Sequence, residues 1–178
     1  MSKVITFSRK FPAYHPLAGK QTYFVEKILQ SFEVHFKAYA YADWIYAANK
    51  DKFTFEEIES FWVSLQDIGN NPKIHTIRAG NRFKSGELFS PRIWFGKPYN
   101  SPQLIFWEDA KIKQVYEIDV DENQIIAING QYIDGRNYDT LAVNDGFKSS
   151  LDLRDWLVNY EKPKAFKGSV ICWQDVEY

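Results

Sequence analysis

Apolar residues recur at helical spacing in three stretches of the chain. Residues 22–32 place Phe24, Val25, Ile28, Leu29 and Phe32 on one face, with Thr22 positioned to cap the first turn. Thr54 and Glu57 have the spacing of a capping box; Ile58, Phe61, Trp62 and Leu65 then line one face of a helix over 55–67, ended by Gly69. Residues 151–160 follow Ser149 and Ser150, present Trp156, Leu157 and Tyr160 as an apolar face, and stop before Pro163. Between 37 and 49 the alanines favour a helix, whereas the alternating Tyr39 and Tyr41 also fit a strand; helix is the expectation.

From residue 73 onward the period shortens. Runs rich in β-branched and aromatic residues cover 74–78, 87–95, 103–107, 111–119, 124–128 and 168–174. Turn-forming clusters separate them: Ala79-Gly80-Asn81, Gly96-Lys97-Pro98, Glu108-Asp109, Asp121-Glu122-Asn123 and Asn129-Gly130. The Asn-Gly pair signals a two-residue hairpin. Five to six short strands at this spacing predict a small closed barrel, because closure removes exposed edges. The expected fold is therefore α+β. A β-barrel with flanking helices occupies 71–178, and a helical N-terminal elaboration over 1–70 packs on it. No internal repeat or low-complexity linker interrupts the chain.

Composition narrows the function classes. The 178 residues are 45% hydrophobic and 17% aromatic, enough to bury a core that offsets the entropy of ordering. No run of about 18 apolar residues suits a membrane span, and the first ten residues lack the apolar stretch of a signal peptide. The single cysteine, Cys172, excludes an internal disulfide framework and a cysteine-based zinc site. A cytoplasmic setting is the simplest expectation. His15 and His35 stand too far apart to indicate a metal site, so neither metal nor cofactor is expected.

The net charge of −1 conceals an asymmetry. Residues 1–72 are balanced, residues 73–116 carry 8 basic against 3 acidic groups, and residues 117–178 carry 6 against 12. A locally basic centre fits an anionic partner; it equally fits pairing with the acidic end inside one fold.

The densest candidate chemistry is Pro72-Lys73-Ile74-His75-Thr76-Ile77-Arg78. As a strand, Thr76 and Arg78 share one face and His75 takes the other, so His75 reads as structural. Lys73 joins Thr76 and Arg78 only if it lies in the loop before the strand, which Pro72 favours. The spacing Lys-x-x-Thr-x-Arg also fits a plain solvated strand edge. Phe83-Lys84-Ser85-Gly86-Glu87 reads as a turn in which Gly86 supplies positive φ, with Lys84 free to face a ligand. Asn144-Asp145-Gly146-Phe147 is turn material before the cap at Ser149.

The order of these elements over about residues 70–176 resembles the ASCH domains of the PUA-like superfamily. That resemblance implies a small barrel and a cleft beside it for RNA, nucleotides or nucleosides. It is similar in motif to the branch of small amidohydrolases that deacylate acetylated cytidine. The branch's catalytic lysine, threonine and carboxylate fall on Lys73, Thr76 and Asp145, and its arginine on Arg78. Here an aspartate stands where those hydrolases have glutamate, Asn71-Pro72 replaces a glycine, and 92–107 and 121–140 read as insertions.

Three functions follow as expectations. The first is a nucleic-acid or nucleotide-binding module, with Arg78, Arg82, Lys84, Trp94 and Tyr99 as contacts and Trp94, Phe95 or Tyr99 stacking on a flat base. The second is an amidohydrolase on an N-acylated nucleobase or nucleoside. There Lys73 or Asp145 serves as base and Thr76 or water as nucleophile. The third is a protein-interaction role for an exposed apolar stripe on the helix over 55–67.

Overall fold

A computed structural model describes residues 2–32, 38–59, 69–158 and 165–178, with 38–42 and 59 described by backbone alone. The fold is α+β, with nine strands in two sheets and five helices among the described residues. The first sheet contains β1 (Lys3–Phe7), β3 (Leu88–Trp94), β4 (Gln103–Ile105) and β5 (Ala110–Lys111). β1 runs parallel to β3, while β4 and β5 pair antiparallel with it. The second sheet is antiparallel in the order β2 (His75–Ala79), β9 (Phe166–Cys172), β6 (Gln114–Val120), β7 (Ile126–Ile128) and β8 (Gln131–Tyr132).

β9 divides the interior. Its neighbours along the chain point to opposite faces, so Ile171 and Trp173 enter one core while Val170 and Cys172 enter the other. A strand covered on both faces reads as the continuous apolar run Val170-Ile171-Cys172-Trp173. The first core lies between the first sheet and α1 (Phe24–Ser31), α2 (Ala38–Asn49) and α3 (Phe55–Glu59). The second lies between the second sheet and α4 (Gly135–Asn144) and α5 (Ser150–Leu157). α1 serves both, since Phe24 packs in the second core and Val25, Ile28 and Leu29 in the first.

Most of the expected elements form. Thr54 and Glu57 make the reciprocal capping bonds, the Glu57 carboxylate accepting from the Thr54 N–H at 2.9 Å. Ser149 caps α5 by accepting from the Asp152 N–H at 3.2 Å, and α5 ends at Leu157, where Val158 turns extended. Asn129 and Gly130 take φ of 49° and 78° in the β7–β8 turn, the doubly positive geometry of a two-residue hairpin. Thr22 is displaced from the cap: Tyr23 holds that position at φ 57° with no side-chain bond. The Thr22 hydroxyl instead accepts from the Phe24 N–H at 3.3 Å and donates to the Ser8 carbonyl at 2.6 Å. Phe61, Trp62, Leu65, Tyr160 and Pro163 lie outside the described residues.

The expected closed barrel is corrected. Among the described residues no backbone ladder joins the two sheets. β1, at the edge of the first sheet, meets the arginines of the β2 region instead of a strand. Arg78 Nη2 donates to the Thr6 carbonyl at 2.6 Å and Arg82 Nη2 to the Val4 carbonyl at 2.9 Å. These side-chain bonds, and no backbone ladder among the described residues, link β1 to the β2 region. The segment before residue 70 thus supplies a sheet strand as well as helices.

Candidate functional site

The breach between the sheets is bordered by one segment, residues 73–82, whose parts face different surroundings. Lys73 lies in the loop before β2. Its N–H donates to the Lys27 carbonyl at the α1 side at 3.0 Å, and the next N–H, of Ile74, donates to the Asn144 carbonyl at 2.9 Å. These two bonds drive the Lys73 side chain inward, to 1% exposure. Its ammonium forms a salt bridge with the Asp145 carboxylate, donates to the Asp145 carbonyl at 2.5 Å, and sits 4.4 Å from the centre of the Phe24 ring.

Asp145 is the residue after α4, placed at the free edge of β2. The Ile77 N–H, on a side of β2 with no paired strand among the described residues, supports its carboxylate. Gly146 follows at φ +85°, and a Cβ there would come within 3.2 Å of the Lys73 side chain. Glycine therefore permits both the turn and the close approach of lysine and acid.

Burial sets the electrostatics. It pushes the Lys73 ammonium down to about 8, with Asp145 partly offsetting it and Arg78 and Lys27 adding to it. It raises the Asp145 carboxyl, against the pull of Lys73, Arg78 and the Ile77 N–H. Both shifts move the pair toward neutrality, as expected when charges leave water.

Thr76 is buried on the opposite face of β2 from His75. It sits across from Ile171, while His75 sits across from Cys172. Among the described residues its hydroxyl makes no hydrogen bond to Lys73 or Asp145. The alternation expected for the strand is therefore present, and Lys73 lies in the loop. The three groups do not form one hydrogen-bonded set: lysine and acid bind each other, and the hydroxyl stands apart.

His75 is closer to the chemistry than its facing suggested. Its Nε2 lies 3.8 Å from Asp145 Oδ1 and has no hydrogen-bond partner among the described residues. Its Nδ1 is 2.5 Å from the Tyr178 hydroxyl, which accepts from Asn144 Nδ2 at 3.0 Å. That acceptance leaves the phenol proton for Nδ1, so Nε2 carries the ring hydrogen and points toward the acid. Burial, with Lys73 nearby, holds His75 well below the usual histidine range, so it is neutral. Asp145 sits at the strand edge, where a residue on either face can approach it; alternation alone does not reveal this.

On the other side lies a groove of about 220 Å³, lined by Val4, Ile5, Thr6, Arg78, Ala79 and Arg82, with Phe83 at its end. The two guanidiniums are held by β1 carbonyls and by rings: Arg78 lies 5.3 Å from Phe7 and Arg82 4.7 Å from Phe83. Neither forms an ion pair among the described residues, and Arg78 Nε is buried with no partner. Burial holds the Arg78 guanidinium below its usual range; Asp145 and Tyr99 oppose this and Arg82 adds to it. Tyr99 is 86% exposed at φ 64° and packs on Trp94 with ring centres 5.3 Å apart. An exposed tyrosine in left-handed backbone costs energy that its neighbours must offset.

Lys84 lies away from the groove, exposed on the turn where Glu87 accepts from its N–H at 2.9 Å. Glu87 also binds the Lys3 ammonium at 2.7 Å, which draws its carboxyl below the usual range. Gly86 takes φ 85°, as expected for the turn. The basic centre is partly consumed within the fold, since Lys73 and Lys113 pair with Asp145 and Asp175 from the acidic end. Arg78 and Arg82 are not consumed in this way.

No helix among the described residues is long and apolar enough to cross a membrane, and no cluster of three metal-ligating side chains occurs among them. Comparison of the chain with protein-family models, with curated proteins and with solved structures finds no match.

Proposed function

We propose that the protein binds a nucleotide or single-stranded nucleic acid in the groove between β1 and β2. The observation that carries this reading is the Arg78–Arg82 pair, two guanidiniums held on β1 carbonyls and lining one groove, without an ion-pair partner among the described residues. Such a pair supplies a preset fork for phosphate oxygens. Tyr99, exposed and backed by Trp94, lies outside the groove lining but offers a base a stacking surface worth about 1–3 kcal/mol. The likeness of Lys73, Thr76, Arg78 and Gly86 to the ASCH pattern agrees with this reading. Binding of a short single-stranded RNA and of nucleoside monophosphates at about 50 mM salt tests it. Affinity falls steeply with salt and drops in Arg82→Gln; absence of binding to any of them removes the proposal.

A second reading, deacylation of an N-acylated nucleobase or nucleoside, is favoured by the contact between Lys73 and Asp145. A lysine lowered to about 8 can take a proton from a hydroxyl or water near neutral pH. Release of cytidine from acetylated cytidine, followed by mass, tests it. Turnover must vanish in Lys73→Ala; full turnover in that variant, or none in the wild type, ends this reading. The interaction reading receives less support, because Ile58 on its stripe is buried at 1% exposure.

A further inference from the structure

A second cleft, sharing no lining residue with the Arg78–Arg82 groove, opens where the segment after β1 folds over α1 and the start of α5. Its volume is about 630 Å³, within the range of about 300–1,000 Å³ usual for small-molecule sites. Lys20, Lys27 and Lys148 line it against one carboxylate, Asp152, and Phe11 and Tyr23 supply aromatic wall. Gly146 forms part of the floor.

Lys27 is the unusual member. Its side chain is only 6% exposed, although it lines an open cleft. Among the described residues its hydrogen bond goes to the Gly146 carbonyl, which uses one of three ammonium donors. Burial and the nearby Lys148 lower its proton affinity, and Asp152 and Glu26 only partly oppose this. The fold thus holds like charges together at a cavity wall, an arrangement that costs free energy until an anion enters.

The geometry points to a site for a phosphate monoester carrying a flat apolar group. Three ammoniums and one carboxylate leave two positive charges on the lining. A dianionic phosphate balances them, whereas a single carboxylate leaves one uncompensated. The ring of the ligand would lie against Phe11 and Tyr23. The site is independent of the proposed nucleotide groove, and the two are separable by mutation.

Calorimetric titration of the full chain with phenyl phosphate at about 50 mM salt tests this. Saturable binding is expected, weakened about tenfold by Lys148→Gln and further by Lys20→Gln with Lys148→Gln. A binding event lost in Arg82→Gln belongs to the Arg78–Arg82 groove; the event assigned to this cleft persists in Arg82→Gln, and benzoate binds there more weakly. Both lysines are exposed, so these variants preserve the fold even if Lys27→Gln does not. No saturation by about 10 mM overturns the assignment, as does equal affinity for benzoate. Binding that survives both lysine substitutions but disappears in Arg82→Gln overturns it too.

Discussion

Lys73 and Arg78 stand five residues apart, yet the fold gives their charges opposite fates. Lys73 is turned inward by two backbone bonds and bound to Asp145 in the dry interior. Arg78 projects from β2 itself, is anchored by a β1 carbonyl, and has a buried Nε with no hydrogen-bond partner among the described residues. The first charge fastens α4 to the edge of β2. The second forms no ion pair among the described residues. A basic segment is thus no single patch: facing and edge position decide which charges stabilise the fold and which can bind.

The largest effect is expected when Lys73 loses its partner. Asp145→Ala leaves a buried ammonium uncompensated and is expected to cost about 3–5 kcal/mol in urea unfolding. Lys73→Met with Asp145→Leu, which removes both charges, should recover most of that loss. A cost below about 1 kcal/mol for Asp145→Ala, the range of an exposed pair, would show that the pair is not in a dry interior.

Next in size is the packing that sets where Arg78 leaves the strand. Gly168 lies across from Ala79, and a Cβ there would stand 2.3 Å from the Arg78 carbonyl. Gly168→Ala should destabilise by about 1–3 kcal/mol and weaken ligand binding at the groove. A neutral effect on both would mean that β2 and β9 separate freely.

The pH dependence of stability sharpens the same contrast. Folded Lys73 releases its proton near pH 8, whereas the ordinary lysine value is 10.5. Between these values the unfolded chain binds more protons, so stability rises with pH across that window. The slope from this one group is about 1.4 kcal/mol per pH unit at most. Below pH 8 the penalty for the buried ammonium is present in full. Lys73→Met should flatten the pH 8–10.5 region relative to wild type in denaturant midpoints; identical slopes would place Lys73 in solvent. The smallest stability effect is expected for Arg82→Gln, within about 0.5 kcal/mol as for other surface changes, although ligand affinity falls about tenfold.

Period and turn chemistry made β2, β3, β6, β7, β9, α1, α2 and α5 legible, because each carries an apolar face or a strong punctuation signal. β1 was missed. Lys3-Val-Ile-Thr-Phe7 alternates for only five residues, and its partner β3 lies more than eighty positions away. α4 was missed because Gly135-Arg-Asn-Tyr-Asp-Thr-Leu-Ala-Val-Asn144 buries only Leu141 and Ala142. At the site, alternation gave the opposite facings of His75 and Thr76, and Pro72 gave the loop position of Lys73. The meeting of Lys73 with Asp145 was anticipated only through the ASCH likeness. The Arg78–Arg82 clamp on β1 could not be read without β1. Nor could the approach of His75 to Asp145, which depends on the acid sitting at a strand edge.

The two guanidiniums at the breach between the sheets are proposed to receive phosphate. The most direct test is the salt dependence of RNA binding in wild type and in Arg82→Gln. The account predicts that the slope of log affinity against log salt falls by about 0.7–1 in the variant, the loss of about one phosphate contact. An unchanged slope with unchanged affinity would place the bound phosphates elsewhere and contradict it.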